Sequence, residues 1–395
     1  MTTLTNDRSW PRHWQPQTAL WLLASIVVGF LAASSAPSPL YALYRQAWGF
    51  SALTLTLVFA SYAVALLVAL LVLGNWSDYR GRRAVLVWAL LLEIGATLLF
   101  WRADSVGWLL AARVLQGLAT GIATSTLSAA LIDVDHHKGA LLNSVAPLVG
   151  MALGALGSSL LVQFAPAPTT LVYECLLVMF GLQTLAALFL PETVSRRARP
   201  WHALLPRIAI PAHAWPTLLR ILPVNTAQWA LGGFYLSLGP TLARQVTGLN
   251  SPVVGGALIA SLVLTGAAAI LAVRQRPARQ ALLGGTCALG LGLAITLVGL
   301  AQSSSTLLFA GTLAAGLGFG AVFNGAVRSL VVMAAPAERG ALMAGFFALS
   351  YVAFSGPAVV AGFAVGLFGL AATAMGFGMA LVALCVVAGL LMLRH

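Results

Sequence analysis

Charge is what this sequence lacks. Only 8% of its 395 residues are Asp, Glu, Lys or Arg, while 60% are hydrophobic. A soluble domain carries roughly 25% charged residues. Nine acidic and 21 basic side chains cannot cover a water-facing surface of this size. Lipid is therefore the solvent for most of the chain. Lysine is scarcer still: Lys138 stands alone, followed by Gly139-Ala140. That excludes a G-x-x-x-x-G-K-[S/T] phosphate loop, and with it a nucleotide-driven pump. No loop is long enough for a catalytic domain, so an enzyme is not expected. Cys175, Cys287 and Cys385 are isolated in apolar runs, which rules out a CxxC pair or a disulfide framework. The histidines lie in loops or tails without zinc spacing. His136-His137, beside Asp133 and Asp135, reads as a solvated turn, and no metal site is expected. The alternating segments of roughly ten residues that mark a membrane barrel are also missing.

What the chain does have is apolar runs, repeatedly, near the length of about 20 residues that crosses a bilayer as a helix. They fall at 18–38, 52–74, 84–101, 107–132, 141–164 and 170–190, then at 219–241, 252–273, 281–301, 306–333, 340–366 and 369–393. Helices are the expected form because each satisfies its own backbone hydrogen bonds. The first run is too long and too late for a secretory leader, and no small-residue cleavage site follows it, so it reads as a retained span.

Arginine sets the orientation. With an even number of spans, both termini share one side. Of the basic residues only Arg45, Arg102 and Arg244 fall on the other side, and Arg113 and Arg328 fall inside spans. The positive-inside rule then makes both termini cytoplasmic in a multi-pass protein of the cell's inner (plasma) membrane. This topology, with contact to anionic lipid headgroups, accounts for the net charge of +12 without a nucleic-acid partner. Ten of the 11 tryptophans lie near span ends or in loops, where their rings favour the headgroup level. Trp229, about ten residues into span 7, is the exception.

The longest gap between spans, 191–218, holds Arg196, Arg197, Arg199 and Arg207 among Pro200, Pro206, Pro211 and Pro216, which break any long helix. It reads as a cytoplasmic linker between a six-helix bundle at 1–190 and another at 219–395. The bundles echo each other weakly: Arg80 and Arg83 correspond to Arg276 and Arg279, and Pro147 to Pro357. The expected fold is an all-α integral membrane protein of twelve transmembrane helices in two pseudo-symmetric bundles. Repeated halves of this kind characterise many secondary transporters, whose substrate site lies between them.

Between spans 2 and 3 stands GNWSDYRGRR, from Gly74 to Arg83. It resembles the loop signature of the major facilitator superfamily, G-x-L-x-D-R-x-G-R-R. Gly74, Asp78, Gly81, Arg82 and Arg83 match; Trp76 replaces the leucine, and Tyr79-Arg80 departs after the aspartate. Gly74 lets the end of span 2 pack closely, Gly81 permits a tight turn, and a helix dipole favours the carboxylate. The resemblance implies that Asp78, with Arg82 and Arg83, latches against the start of span 11 near Glu338-Arg339-Gly340. A latch suits alternating access. In span 4, Arg113, Gln116, Gly117 and Gly121 resemble the family's R-x-x-Q-G-x-x-x-[G/A] pattern, whose arginine is linked to proton movement in coupled members.

The residues support a pairing independently. An in-span arginine costs about 2.5–3.5 kcal/mol and must face a partner inside the bundle. Glu93 lies about eight residues below the outer end of span 3 and Arg113 about six below that of span 4, so at 1.5 Å per residue their depths agree within a turn. A Glu93–Arg113 pair is expected, direct or through Gln116. A buried carboxylate that exchanges an arginine for a proton provides a coupling mechanism; a fixed structural pair is the alternative. Glu174 reads as interfacial, and Arg328 as snorkelling to the surface.

Span 5 carries Pro147 and Gly150 of the antiporter pattern G-x-x-x-G-P-x-x-G-G; two of its glycines are absent. Gly150, Gly154 and Gly157 form a small-residue face for helix packing. In the family, spans 1, 4, 7 and 10 line the cavity. That places Ser34, Ser35, Gln116, Thr120, Asn225, Gln228, Trp229, Tyr235, Phe323 and Asn324 as substrate candidates, each of which could instead bond a neighbouring helix. An apolar, aromatic cavity with scattered amides suits small amphipathic molecules, and the absence of an acid in spans 1 and 7 counts against a polycation exporter. The expected protein is a monomeric secondary transporter. It needs no cofactor beyond the proton gradient, and exports small amphipathic compounds or drugs by proton antiport. A proton-coupled uptake symporter for a small anionic metabolite is the competing reading.

Overall fold

The computed structural model describes residues 15–194, 210–335 and 338–393. The linker arginines Arg196, Arg197, Arg199 and Arg207, with Arg8, Arg12 and Arg394 of the termini, lie outside the described residues. Among the described residues every long element is an α-helix and no strand occurs. In the first half these are α1 (Pro16–Ser35), α2 (Pro37–Trp48), α3 (Ala52–Leu73), α4 (Trp76–Arg80), α5 (Arg82–Trp101), α6 (Val106–Val134), α7 (His136–Phe164) and α8 (Leu171–Leu188). The second half holds α9 (Trp215–Ser237), α10 (Gly239–Thr247), α11 (Pro252–Val273), α12 (Ala278–Ala301), α13 (Ser305–Met333), α14 (Arg339–Phe368) and α15 (Leu370–Leu393).

Among the described residues, eleven stretches are long and apolar enough to cross a membrane. The helix α9 occupies the place of the seventh expected span, but Arg220, Asn225, Thr226 and Gln228 keep it out of that set. The chain is thus a multi-pass membrane protein. Large apolar side chains such as Trp88, Leu153, Leu182 and Val360 stay exposed around the bundle, where lipid rather than water is their solvent.

Spans 1 and 7 run on past their expected ends at 38 and 241. Ala36 keeps helical angles (φ −55°, ψ −37°), so α2 continues α1 after a kink. Pro37 opens α2 at a position whose missing N–H costs nothing. Pro240 opens α10 in the same way after α9.

Successive spans alternate in direction, which defines two faces. The basic face carries the loops at 74–81, 134–136 and 274–278. The two halves meet along α3 with α14 and α7 with α11. Along α3 and α14 the close contacts lie at mid-depth and toward the opposite face: Phe59 packs on Phe354 with centroids 5.1 Å apart, and Gly362 abuts Thr56. The α7–α11 seam runs from Ser251, which donates to Gln163 Oε1 at 3.1 Å, to the buried cluster of Leu148 with Ala267 and Ile270 on the basic side.

Candidate functional site

One face of α6 builds the centre of the first half. Arg113, Gln116, Gly117, Thr120 and Gly121 recur at helical spacing and so share that face. The two glycines decide where it points. A Cβ at Gly117 would strike the Tyr62 carbonyl, and one at Gly121 the Leu66 carbonyl, so only glycine lets α3 approach this closely. That approach seals the arginine inside, with no exposure at all.

Arg113 Nη1 donates to Gln116 Oε1 at 2.7 Å and to the Ser34 carbonyl at 2.8 Å, while Nε donates to the Tyr41 hydroxyl at 2.6 Å. The rings of Tyr41, Tyr62 and Phe100 surround its guanidinium at 5.4–5.5 Å, a cation–π arrangement. Gln116 Nε2 in turn donates to Glu93 Oε1 at 3.0 Å. The amide cannot be reversed: arginine only donates, so it must meet the Gln116 oxygen, which leaves the NH2 for the carboxylate. Glu93 and Arg113 are therefore joined through Gln116 rather than in direct contact. Glu93 Oε2 and Arg113 Nη2 are buried and find no partner among the described residues. Buried charges are costly unless their hydrogen-bonding capacity is met, so these two atoms are where a further hydrogen-bond partner gains most. Thr120 donates to the Gln116 carbonyl at 2.8 Å, and Tyr62 interacts with both Thr120 and Ser34.

The second half presents a contrasting group. On α9, Asn225, Gln228 and Trp229 follow at i, i+3 and i+4. Asn225 Nδ2 donates to Ser350 Oγ at 2.9 Å, and Ser350 spends its only hydrogen on the Phe346 carbonyl at 2.8 Å. Asn225 must therefore turn its NH2 to the serine, leaving its oxygen free. Asn225 Oδ1, Gln228 Oε1 and Trp229 Nε1 are buried without partners among the described residues. The Trp229 ring meets Tyr351 and Phe354 edge-on, at 5.1 and 5.9 Å.

The other cavity candidates point elsewhere. Ser35 Oγ bonds the Met151 carbonyl of α7 at 2.9 Å, and the Tyr235 hydroxyl bonds Thr312 of α13 at 2.9 Å. Phe323 packs beside the α7–α11 cluster, and Asn324 receives Arg328 at 3.5 Å. Arg328 also donates to the Arg276 carbonyl at 2.8 Å, and Glu174 is exposed and accepts from Trp101 Nε1 at 3.1 Å. Pro147 and Pro357 lie inside α7 and α14. Gly150 and Gly154 press α7 onto α1 at the Val28 and Ala32 carbonyls, but Gly157 faces open space and drops out of that packing face.

At the basic face Arg82 pairs with Asp78 at 2.5 Å, an ion pair whose aspartate side chain is 50% exposed, so it is worth little by itself. Arg82 Nε also reaches Asp133 at 3.3 Å, and Arg83 Nη1 the Leu190 carbonyl at 3.4 Å. The carboxylate at the start of α5 is Glu192, not Asp78: it accepts from the backbone N–H of Arg82 at 2.7 Å and of Arg83 at 3.3 Å. Gly81, at φ +94°, clears the way, because a Cβ there would overlap that carboxylate. Gly74 serves its own helix more than a neighbour: a Cβ would strike the Leu70 carbonyl, while the nearest α6 atom, Ser125 Cβ, is 4.0 Å away. Among the described residues, the bonds of Asp78, Arg82 and Arg83 all stay within the first half, and Arg339 bonds the Ala334 carbonyl at 3.3 Å instead. Asp135 caps α7, accepting from the N–H of His137 at 3.0 Å and of Lys138 at 2.9 Å. Those backbone bonds, that to Lys138 first, hold its carboxyl below the usual range.

Sequence reasoning missed Tyr41, Tyr62, Asp133, Glu192, Ser350 and Tyr351. Only Glu192 had a visible cue, an acid directly after span 6 in a chain with nine acids in all.

Two packed helical halves, with a buried charge relay in one and unpartnered amides in the other, define a membrane transporter rather than an enzyme. The profile of the Major Facilitator Superfamily matches residues 22–357, and the chain belongs to that family. No curated protein matches it significantly by sequence. Several crystal structures share the fold. The nucleoside transporter NupG aligns over 97% of this chain and 100% of its own, with TM-score 0.73 and 14% identity. The human organic anion transporter MFSD10 aligns over 96% and 100%, with TM-score 0.68 and 19% identity. A bacterial homolog of the human lysosomal transporter Spinster aligns over 96% of each chain, with TM-score 0.74 and 13% identity. At these identities the likeness is one of fold alone.

Proposed function

We propose that this transporter exports small amphipathic compounds in exchange for protons, by alternating access between the halves 1–190 and 219–395. The observation that carries the reading is the Glu93–Gln116–Arg113 relay. It holds an acid and a cation in the membrane interior, with one oxygen and one nitrogen left over to respond to a proton or a solute. Intramembrane ionisable groups of this kind mark proton or substrate paths. The surplus of arginine on the basic face supports a cytoplasmic location for that face and for both termini, in the cell's inner membrane.

Along α3 and α14 the halves touch toward the opposite face, and Asp78 stays with its own half. This supports a state open to the basic face, in which the latch of Asp78, Arg82 and Arg83 against α14 is released. Closing that face would engage it. The protein acts as a monomer, without a cofactor. One observation favours the competing uptake of an anionic metabolite: the unpartnered Arg113 Nη2.

The test is proton flux in proteoliposomes, with lipophilic drugs and organic anions, for the native protein and Glu93→Gln. Drug moving one way and protons the other, abolished by the substitution, is the expected result. Solute and proton moving together would establish uptake, and coupled flux surviving Glu93→Gln would remove the relay from the mechanism.

A further inference from the structure

The geometry points to a binding face on α9 (Asn225, Gln228 and Trp229, walled by Phe59, Tyr351 and Phe354) that takes a neutral, planar aromatic solute bearing N–H or O–H donors. It rests on reading the space between the halves as the substrate path, and it names the solute class for that path.

Three features carry it. The free groups come as a set: two carbonyl oxygens and one indole N–H on one helix face, all buried and without partners among the described residues. Asn225 and Gln228 are each only 1% exposed. Buried polar groups in native proteins are ordinarily paired, so three orphans within five residues ask for complementary partners. Their chemistry is specific. Two acceptors want two donors from the solute, and the indole wants one acceptor.

The walls are aromatic. Trp229, Tyr351, Phe354 and Phe59 pack ring to ring at 5.1–5.9 Å. They offer faces and edges that a flat solute satisfies better than a flexible chain. The face is also uncharged. Among the described residues α9 carries no acid, and its one cation, Arg220, lies near the helix start. Arg113, whose Nη2 has no partner among the described residues, belongs to the first-half relay with Tyr41, Ser34 and Gln116 rather than to this face. A carboxylate would meet the Asn225 oxygen and find no cation on this face, and an ammonium would find no acid, so each would be buried without a counter-charge.

Four probes on one scaffold test this by calorimetry on the full chain in nanodiscs: indole-3-acetamide, its N,N-dimethyl amide, indole-3-acetate and tryptamine. The acetamide should bind best, and the dimethyl amide, stripped of its amide donors, about tenfold more weakly. Gln228→Glu should turn the preference toward tryptamine by about tenfold or more, because a carboxylate then faces the cation. A purely structural Gln228 would instead weaken all four probes alike, and that result overturns the inference. So does tighter binding of indole-3-acetate than of the acetamide, or binding of none of the four.

Gly232→Ala gives a second variant should Gln228→Glu fail to fold. The nearest neighbours of its methyl would be the Phe319 and Phe354 rings, at 3.4–3.6 Å. It should weaken the acetamide severalfold, and an unchanged affinity counts against the face. Binding needs no gradient, so the two readings fail separately. An acetamide that binds but moves no protons removes the coupling and leaves the face. Coupled flux of indole-3-acetate without acetamide binding removes the face and leaves the coupling.

Discussion

Replacing Gln116 with leucine tests the relay at its middle. Leucine is close to glutamine in volume, so the cavity contribution is small. What is lost is two buried hydrogen bonds, one from Arg113 Nη1 at 2.7 Å and one to Glu93 Oε1 at 3.0 Å. Each involves a charged partner, worth about 1.5–3 kcal/mol. Arg113 keeps Ser34 and Tyr41, but Glu93 is left with neither oxygen paired, since its Oε2 already has no partner among the described residues. The expected loss is about 3–6 kcal/mol, read from an equilibrium SDS titration of the purified protein. Glu93→Gln supplies the second edge of a double-mutant cycle. If Gln116 acts by holding Glu93, the two losses fall short of adding, with a coupling of about 0.5–3 kcal/mol. A loss below about 1 kcal/mol, or strictly additive losses, would refute a relay built on this amide.

Three further outcomes follow from the packing and the basic face. Gly121→Val should cost about 1–3 kcal/mol by driving α3 off α6, and a thermal melt that is unmoved would mean the two helices are not in close register. Gly81→Ala should cost about 1–2 kcal/mol and release the Glu192 cap, seen as faster hydrogen exchange at the Arg82 and Arg83 amides; unchanged exchange would count against the cap. For Asp135, whose folded carboxyl is held below its usual range, the capping contribution is complete above about pH 4 and is lost as the pH falls through the folded value. Asp135→Ala should therefore speed exchange at His137 and Lys138 at neutral pH but make no difference in strong acid, and equal exchange at neutral pH would remove the cap.

The spans were legible because a helix that crosses lipid must be apolar for about 20 residues, and little else in a sequence looks like that. Their ends were less so. The expected ends of spans 1 and 7 were 38 and 241, yet Pro37 and Pro240 sit in the first turn of a continuing helix, where they are tolerated. Span 7 could be placed but carried few apolar residues, because its polar face turns inward. The depth of Glu93 and Arg113 could be counted along two helices of a hairpin, so their proximity was open to reasoning. The rings of Tyr41 and Tyr62 around the guanidinium were not, because they come from helices whose rotation no spacing fixes. Glu192 meets the loop 110 residues before it, a convergence set by the return of α8 rather than by any local pattern. Gly157 shows the same limit from the other side: its i+3 spacing from Gly154 implied a shared face, but a Cβ there would meet nothing within 4 Å.

The separation of the two groups constrains how they could be coupled. On the readings given above, Glu93 and Arg113 handle charge in the first half, while Asn225, Gln228 and Trp229 handle an uncharged solute in the second. Direct competition for one carboxylate is then not available as the exchange mechanism. The shared element is α3. It carries Phe59, which packs on Phe354 of the solute face, and Tyr62, one turn on, whose ring faces Arg113 at 5.4 Å. Gly117 and Gly121 bind α3 tightly to α6, so a rearrangement of the relay cannot leave the Phe59 wall where it was. Phe354, against which Phe59 packs, also meets Trp229 edge-on, which closes the path to α9. Coupling of this kind is reciprocal: whatever free energy a proton on the relay adds to or takes from solute binding, the solute returns to proton binding. A neutral solute is then no obstacle to proton exchange, because the charge it would need to displace is moved by the position of a helix.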